Sequence, residues 1–274
     1  MAGHLIGLYL LERGHEVWGY SRNKTNLMPN INFSIFNQRR LQESIEEINA
    51  DVIVNCIGVL NKSAEDKKDE AVFLNSYLPH YLARLTAGNR TRIFHLSTDC
   101  VFSGAKGSYQ DTDIPDGLTF YDRTKALGEI KDEKNLTFRN SIIGPDITPS
   151  GIGLFNWFMA QESSLNGYVG SLWSGVTTLT LAKAIEKAAL VNLTGLYQLS
   201  NNQNISKFDL CLLFNKFFRE GKLLITPVPG VVQDKTLLRS SSFFDFIVPS
   251  YEDMVREMAV WVETHRSLYR HYGK

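Results

Sequence analysis

Tyr121 and Lys125 stand four residues apart in a stretch, 120–130, rich in good helix formers. That spacing places a phenol and an ammonium on one helix face. Upstream, Ser97 and Thr98 close a short run of strand-favouring residues, Ile93-Phe94-His95-Leu96. A hydroxyl, a phenol and a cation brought together can protonate a carbonyl oxygen. Free Tyr and Lys both titrate near about 10. An adjacent cation favours phenolate and draws the Tyr toward working pH. Thr98 can hydrogen-bond the same oxygen, and Ser97 can take its place, because the order of residues does not say which hydroxyl points inward. Tyr-x-x-x-Lys alone also describes a solvated Lys beside a half-buried Tyr, so its weight depends on the elements around it.

Those elements follow an α/β order. Residues 1–14 read as a helix closed by Gly14, and residues 15–22 as a strand ending in Ser21-Arg22. Helix, Gly, strand, Ser-Arg is the second half of a dinucleotide-binding unit, whose first strand and first turn glycines are absent. Gly3 fits the last glycine of that turn, at a helix N-terminus suited to a pyrophosphate. The alternative is a protein that simply begins with a helix. Ser21 and Arg22, with no acid nearby, favour the 2′-phosphate of NADP, against a solvated loop Arg. Further strands are expected at 31–36, 51–58, 93–96 and 136–143, with helices at 41–48, 73–83 and 120–130. The 51–58 strand ends in Cys56-Ile57-Gly58, small residues that suit close passage of a cofactor. Pro79 should kink its helix, on which Asn75 could brace the active strand or lie on the surface. The charge run 65–69 suits a solvated helix start. Asp111, Asp113 and Asp116 lack His or Glu at ligand spacing and read as a solvated turn rather than a metal site.

Past Gly144-Pro145 the alternation weakens. Helices are expected at 153–161, 178–190, 206–218 with Ser206 as N-cap, and 250–269. Strands are expected at 167–173, with an exposed Trp173, at 195–199 and at 223–227. The expected architecture is a Rossmann-like, doubly wound parallel sheet over 1–145, its first strand truncated. A smaller substrate-binding lobe over 146–274 returns some segments to that sheet.

Bulk properties agree with such a protein. The chain has 274 residues, 43% hydrophobic and 21% charged, with formal net charge +0, ample for a core and without the basic stripe of a nucleic-acid binder. No apolar run approaches the roughly 18 residues a bilayer span needs, and no signal peptide is visible. Cys56, Cys100 and Cys211 are widely spaced, as expected of reduced thiols in a cytoplasm rather than zinc ligands.

With these pieces in order, the chain resembles the extended short-chain dehydrogenase/reductases, and among them the dTDP-4-dehydrorhamnose reductase family. The stretches that carry the likeness are Gly3-His4, Asn55-Cys56-Ile57-Gly58, Asn75, Ser97-Thr98-Asp99-Cys100-Val101-Phe102-Ser103-Gly104, Tyr121-Asp122-Arg123-Thr124-Lys125-Ala126-Leu127-Gly128-Glu129 and Arg139-Asn140-Ser141. The resemblance implies NADPH, with NADH as the alternative, and hydride delivery to a keto carbon of a nucleotide-linked deoxysugar for surface polysaccharide. It implies that Tyr121 protonates the oxygen, Thr98 orients it and Lys125 depresses the Tyr and holds the nicotinamide ribose. It further implies cofactor contacts at Gly3, Ser21, Arg22, Asn37, Cys56, Ile57, Gly58 and Asn75. Substrate contacts would come from Asp99, Cys100, Asn140 and Trp173, and the protein would be a cytoplasmic homodimer. Three positions depart from the family: Asn37 for an Asp near the adenine, Cys100 for a Tyr and Ile142 for a Trp near the sugar. The particular sugar nucleotide therefore stays open. The competing readings are a non-catalytic NADP-binding regulatory subunit and an epimerase or dehydratase. The last is weakened because Asp99 is followed by Cys100 rather than a second acid.

Overall fold

A computed structural model describes residues 1–21 and 25–273. The chain begins with helix α1 (Ala2–Glu12) and strands β1 (Gly19–Tyr20) and β2 (Asn30–Ile31). After α2 (Gln38–Ile48) and β3 (Val52–Asn55) come α3 (Asn61–Asp66), α4 (Lys68–Ala71), a π-helical stretch Val72–Tyr77, and α5 (Leu78–Leu85). Next are β4 (Arg92–Leu96), β5 (Tyr109–Gln110), α6 (Phe120–Leu127), β6 (Leu136–Arg139) and β7 (Ile142–Ile143). The second half contains α7 (Leu154–Met159), β8 (Ser164–Tyr168), β9 (Ser171–Trp173), β10 (Val176–Thr177), α8 (Thr178–Leu190) and β11 (Gly195–Gln198). It closes with β12 (Ile205–Ser206), α9 (Lys207–Phe218), β13 (Leu224–Val228), β14 (Gln233–Asp234), β15 (Leu237–Leu238) and α10 (Tyr251–Thr264).

The central sheet is parallel, in the order β11-β6-β4-β3. The pair β1-β2 is a separate parallel sheet. This is the expected Rossmann-like α/β class. Side chains alternate across a strand, and the two faces of this sheet differ. Phe94, Leu136 and Phe138 enter the largest apolar cluster, shared with Leu5 and Ile6 of α1, α8 and α10. Ile93 on the other face joins Leu41, Leu78 and Leu82 of α2 and α5. Further along that second face the residues become polar: Asn55, His95 and Thr137 stand side by side, followed by Ser97 and Arg139, all buried. Helix α6 lies over this polar layer. The second half is not built apart from the first, since β11 completes the sheet and α8 packs on α1.

Local departures have local causes. The expected 31–36 strand pairs only at Asn30–Ile31; the chain then turns, Asn37 N–H donating to the Ser34 carbonyl at 2.8 Å, so that Asn37 can cap α2. The strand expected over 15–22 pairs at Gly19–Tyr20, with Arg22 outside the described residues. Pro79 does not mark a simple kink. The missing N–H falls just after the π-helical stretch, where Leu78 N–H reaches back five residues to the Phe73 carbonyl. The 167–173 strand divides into β8 and β9. Trp173 is buried, not exposed, with Tyr251 of α10 against it (ring centroids 5.7 Å apart).

Candidate active site

The N-terminus of α6 is set by Thr119, whose hydroxyl accepts the Asp122 N–H at 3.1 Å while the Asp122 carboxylate accepts the Thr119 N–H at 3.2 Å. Such a reciprocal cap satisfies donors a helix start would otherwise leave bare. At the other end, Gly128 permits contact that no side chain would: a Cβ there would lie 1.8 Å from the Asn75 carbonyl oxygen. Asn75 itself is fully buried. Its amide oxygen accepts from Val59 N–H at 2.8 Å, and its nitrogen donates to the Val59 carbonyl (2.9 Å) and Thr124 Oγ1 (3.2 Å). Asn75 thus ties the loop after β3 to α6, and its amide is used up in doing so.

Tyr121 and Lys125 are both buried on α6, one turn apart. Tyr121 faces the Thr98–Cys100 turn at the C-terminal end of β4. Burial pushes its phenol above the ordinary range, and the Cys100 thiol adds to this, while hydrogen bonding with Thr98 opposes it. The Thr98 hydroxyl donates to Asp99 Oδ1 at 3.0 Å and accepts from the Cys100 N–H at 3.1 Å. Burial also raises the Asp99 carboxyl, against hydrogen bonds from Thr98 and Ser141 and the charge of Lys235. Lys235 reaches this corner from beside β15 and lies 3.7 Å from Asp122. Order in the sequence gave no sign of it, because 110 residues separate it from Lys125 (235 − 125).

The Tyr121 phenol is raised rather than drawn toward working pH, contrary to the expectation, and Lys125 is anchored elsewhere. Its Nζ turns to β4, donating to the Leu96 carbonyl at 2.7 Å and lying 3.3 Å from His95 Nε2. Burial lowers Lys125 to about 8, with Glu129 and Cys56 favouring the charged form. A desolvated amine whose own charge is disfavoured is a weak source of positive potential. Ser97 is no substitute for Thr98 here. Its hydroxyl donates to Glu129 Oε1 at 2.7 Å, and Glu129 pairs with Arg139 through two 2.7 Å contacts.

The remaining candidate residues spread along the C-terminal ends of the strands, the edge where open α/β sheets bind ligands. Gly3 lies in the first turn of α1 against Cys56 (3.6 Å from its would-be Cβ to the Cys56 Cβ), and Gly58 is exposed beside Asn75. Cys56 and Ile57 are half-buried. Burial raises the Cys56 thiol to about 12. Ser21 Oγ is 3.1 Å from Asn30 Nδ2, at the end of β1. Asn37 is exposed, its Oδ1 taken by the Arg40 N–H (3.1 Å). Asn140 is buried with its Oδ1 unpartnered, as are both polar atoms of Gln198 on the neighbouring strand. Trp173 lies in the core, away from any open surface. Asp111 is not a solvated turn residue: its carboxylate accepts from Gln198 N–H (2.6 Å), Ser240 N–H (2.9 Å) and Ser240 Oγ (2.8 Å), binding the sheet edge to a distant loop.

A family model described as the RmlD substrate binding domain matches residues 3–141. Among curated proteins, the probable low-salt glycan biosynthesis reductase Agl14 of Haloferax volcanii is 29% identical over 133 residues, 47% of this chain and 44% of that protein. Methionine adenosyltransferase 2 subunit beta of Xenopus laevis is 23% identical over 214 residues, 73% of this chain and 63% of its own length. The chain thus spans less than two thirds of either relative. The dTDP-4-dehydrorhamnose reductase of Bacillus anthracis, solved in complex with NADP, superposes with a TM-score of 0.73 at 20% identity, covering 86% of this chain and 89% of that one.

Proposed function

This chain belongs to the family described as the RmlD substrate binding domain, and from that premise we propose that it reduces a keto group on a nucleotide-linked deoxysugar with NADPH, NADH being the alternative. The observation that carries the reading is the convergence of Thr98, Tyr121 and Lys125, all buried, where α6 passes the C-terminal edge of β4. A binding module has no need of a buried phenol hydrogen-bonded to a hydroxyl beside a desolvated amine.

The residues present fit a dinucleotide. The first turn of α1 offers free N–H groups and Gly3 without a side chain, and Gly58 is open where a backbone could approach a ligand. Gly3, Ser21, Cys56, Ile57 and Gly58 would hold it, with Arg22, outside the described residues, toward a 2′-phosphate. A reduced nicotinamide supplies the hydride when bound. The chain's own part is acid catalysis: Thr98 orients the keto oxygen and Tyr121 hands it a proton, while Lys125, anchored on the Leu96 carbonyl, would hold the nicotinamide ribose. Asp99, Cys100 and Asn140 would face the sugar. The pathway of surface polysaccharide precursors, a cytoplasmic site and a homodimer belong to the same proposal. Among the described residues no helix is long and apolar enough to cross a membrane.

Oxidation of NADPH with a panel of nucleotide-linked keto-sugars tests the reading. Tyr121→Phe should reduce turnover by about 10²–10⁴-fold with cofactor binding retained; unchanged turnover overturns the mechanism. Likeness to a protein named as a subunit, methionine adenosyltransferase 2 subunit beta, favours a second reading as a cofactor-binding regulatory partner. Tight NADPH binding with no turnover on any sugar supports that one instead.

A further inference from the structure

The polar layer under α6 contains a proton arrangement that the reductase reading does not require. Asn55, His95 and Lys125 come from β3, β4 and α6 and are each buried. The Ile57 N–H donates to Asn55 Oδ1 at 3.1 Å, which fixes which way the amide faces. Asn55 Nδ2 therefore confronts His95 Nδ1, 3.2 Å away. An amide nitrogen only donates, so Nδ1 must accept. The ring is neutral, because burial, the largest influence on it, holds it well below the ordinary histidine range. Its one hydrogen is then on Nε2, 3.3 Å from Lys125 Nζ.

An ammonium has no lone pair and cannot accept that hydrogen; a neutral amine can, while still donating to the Leu96 carbonyl. We propose that Asn55 and His95 are positioning residues that, through the tautomer of the imidazole, favour the neutral amine form of Lys125. Charging Lys125 moves the ring hydrogen to Nδ1, against Asn55 Nδ2. Turning the amide over relieves that contact only by setting its NH₂ against the Ile57 N–H. The groups facing Lys125 are His95 from β4, Cys56 just after β3, and Glu129 just past the end of α6. Glu129 is itself held by Arg139 and Ser97. Glu129 and Cys56 favour the charged form; burial and the Asn55–His95 pair oppose it.

The test is nitrogen NMR of the histidine rings in the full chain, with the His95 signals assigned by their loss in His95→Gln, alongside a pH titration of labelled lysine side-chain carbons. At about pH 9, well above neutrality yet below the usual lysine range, His95 should carry its hydrogen on Nε2. As the pH falls through the Lys125 midpoint, near 8, the hydrogen should move to Nδ1 in step. In Asn55→Asp the carboxylate accepts from Nδ1, so the ring should turn to the Nδ1–H form at all pH values. The Lys125 midpoint should then rise by about one unit or more, carrying the pH profile of turnover with it. An Nδ1–H ring in the native chain at about pH 9 overturns the proposal, as does a lysine midpoint that moves while the ring does not. Should Asn55→Asp fail to fold, the native titration decides alone. Only the turnover arm rests on the reductase reading, so failure of one is distinguishable from failure of the other.

Discussion

Ser97 and Thr98 are adjacent, yet their hydroxyls serve different partners just past the end of β4. Ser97 continues the ladder by donating its N–H to the Phe138 carbonyl and joins Glu129 and Arg139, whereas Thr98 caps the turn Asp99–Val101 that follows, and that turn brings it to Tyr121. That Glu129–Arg139 pair is sealed, with side chains 7% and 4% exposed, and the guanidinium also stacks over Phe102 at 5.0 Å. Removing one member of a sealed pair strands the other's charge, a loss of about 3–5 kcal/mol. Glu129→Ala should lower the urea midpoint accordingly; a change under about 1 kcal/mol, the scale of exposed pairs, would mean water reaches the site.

At the scale of elements, α6 is held less by grease than by matched polar groups. Lys125 meets β4, and in the segment that leaves the helix Glu129 meets β6 and Ile130 N–H donates to Thr137 Oγ1 at 3.1 Å. Directional contacts of this kind fix both rotation and register, which a smooth apolar face does not. The end of α6 then abuts the π-helical stretch at Gly128. Gly128→Ala forces its Cβ into the Asn75 carbonyl, and overpacking of this sort costs about 1–3 kcal/mol. The expected result is a lower melting temperature together with weaker turnover, because Tyr121 and Lys125 ride on the displaced helix. Unaltered melting would show that the two backbones part freely. The glycine was visible in the sequence as part of a pattern; the reason for it was not, since its neighbour lies more than a helix away in the chain.

The largest apolar cluster draws on both halves of the chain, and the stability of the whole depends on pH through two histidines that burial keeps neutral. His4 is held at about 4, chiefly by burial and then by the Met1 amino group, and His95 lies well below its usual value. In the unfolded chain both take protons near about 6.5. Between that pH and about 4 the unfolded state binds more protons, so stability falls as the pH drops. Melting temperature should decline steadily over this window, and His4→Gln should flatten the decline. An unchanged slope in His4→Gln would exclude a contribution from that ring.

The order of residues by itself determined the elements with strong periodicity and clear caps: α8 falls at Thr178–Leu190 and Ser206 caps α9, as read from spacing and a hydroxyl at the right place. It also determined that Thr98, Tyr121 and Lys125 share one neighbourhood, because strand ends and helix starts of an α/β chain meet at one edge. Only the tertiary structure decided that Trp173 is core, that Asp111 is a brace, and that Lys125 looks to His95 rather than to Tyr121. Those outcomes depend on partners brought together from remote parts of the chain. Burial among them sets charge and direction, and no local pattern encodes burial.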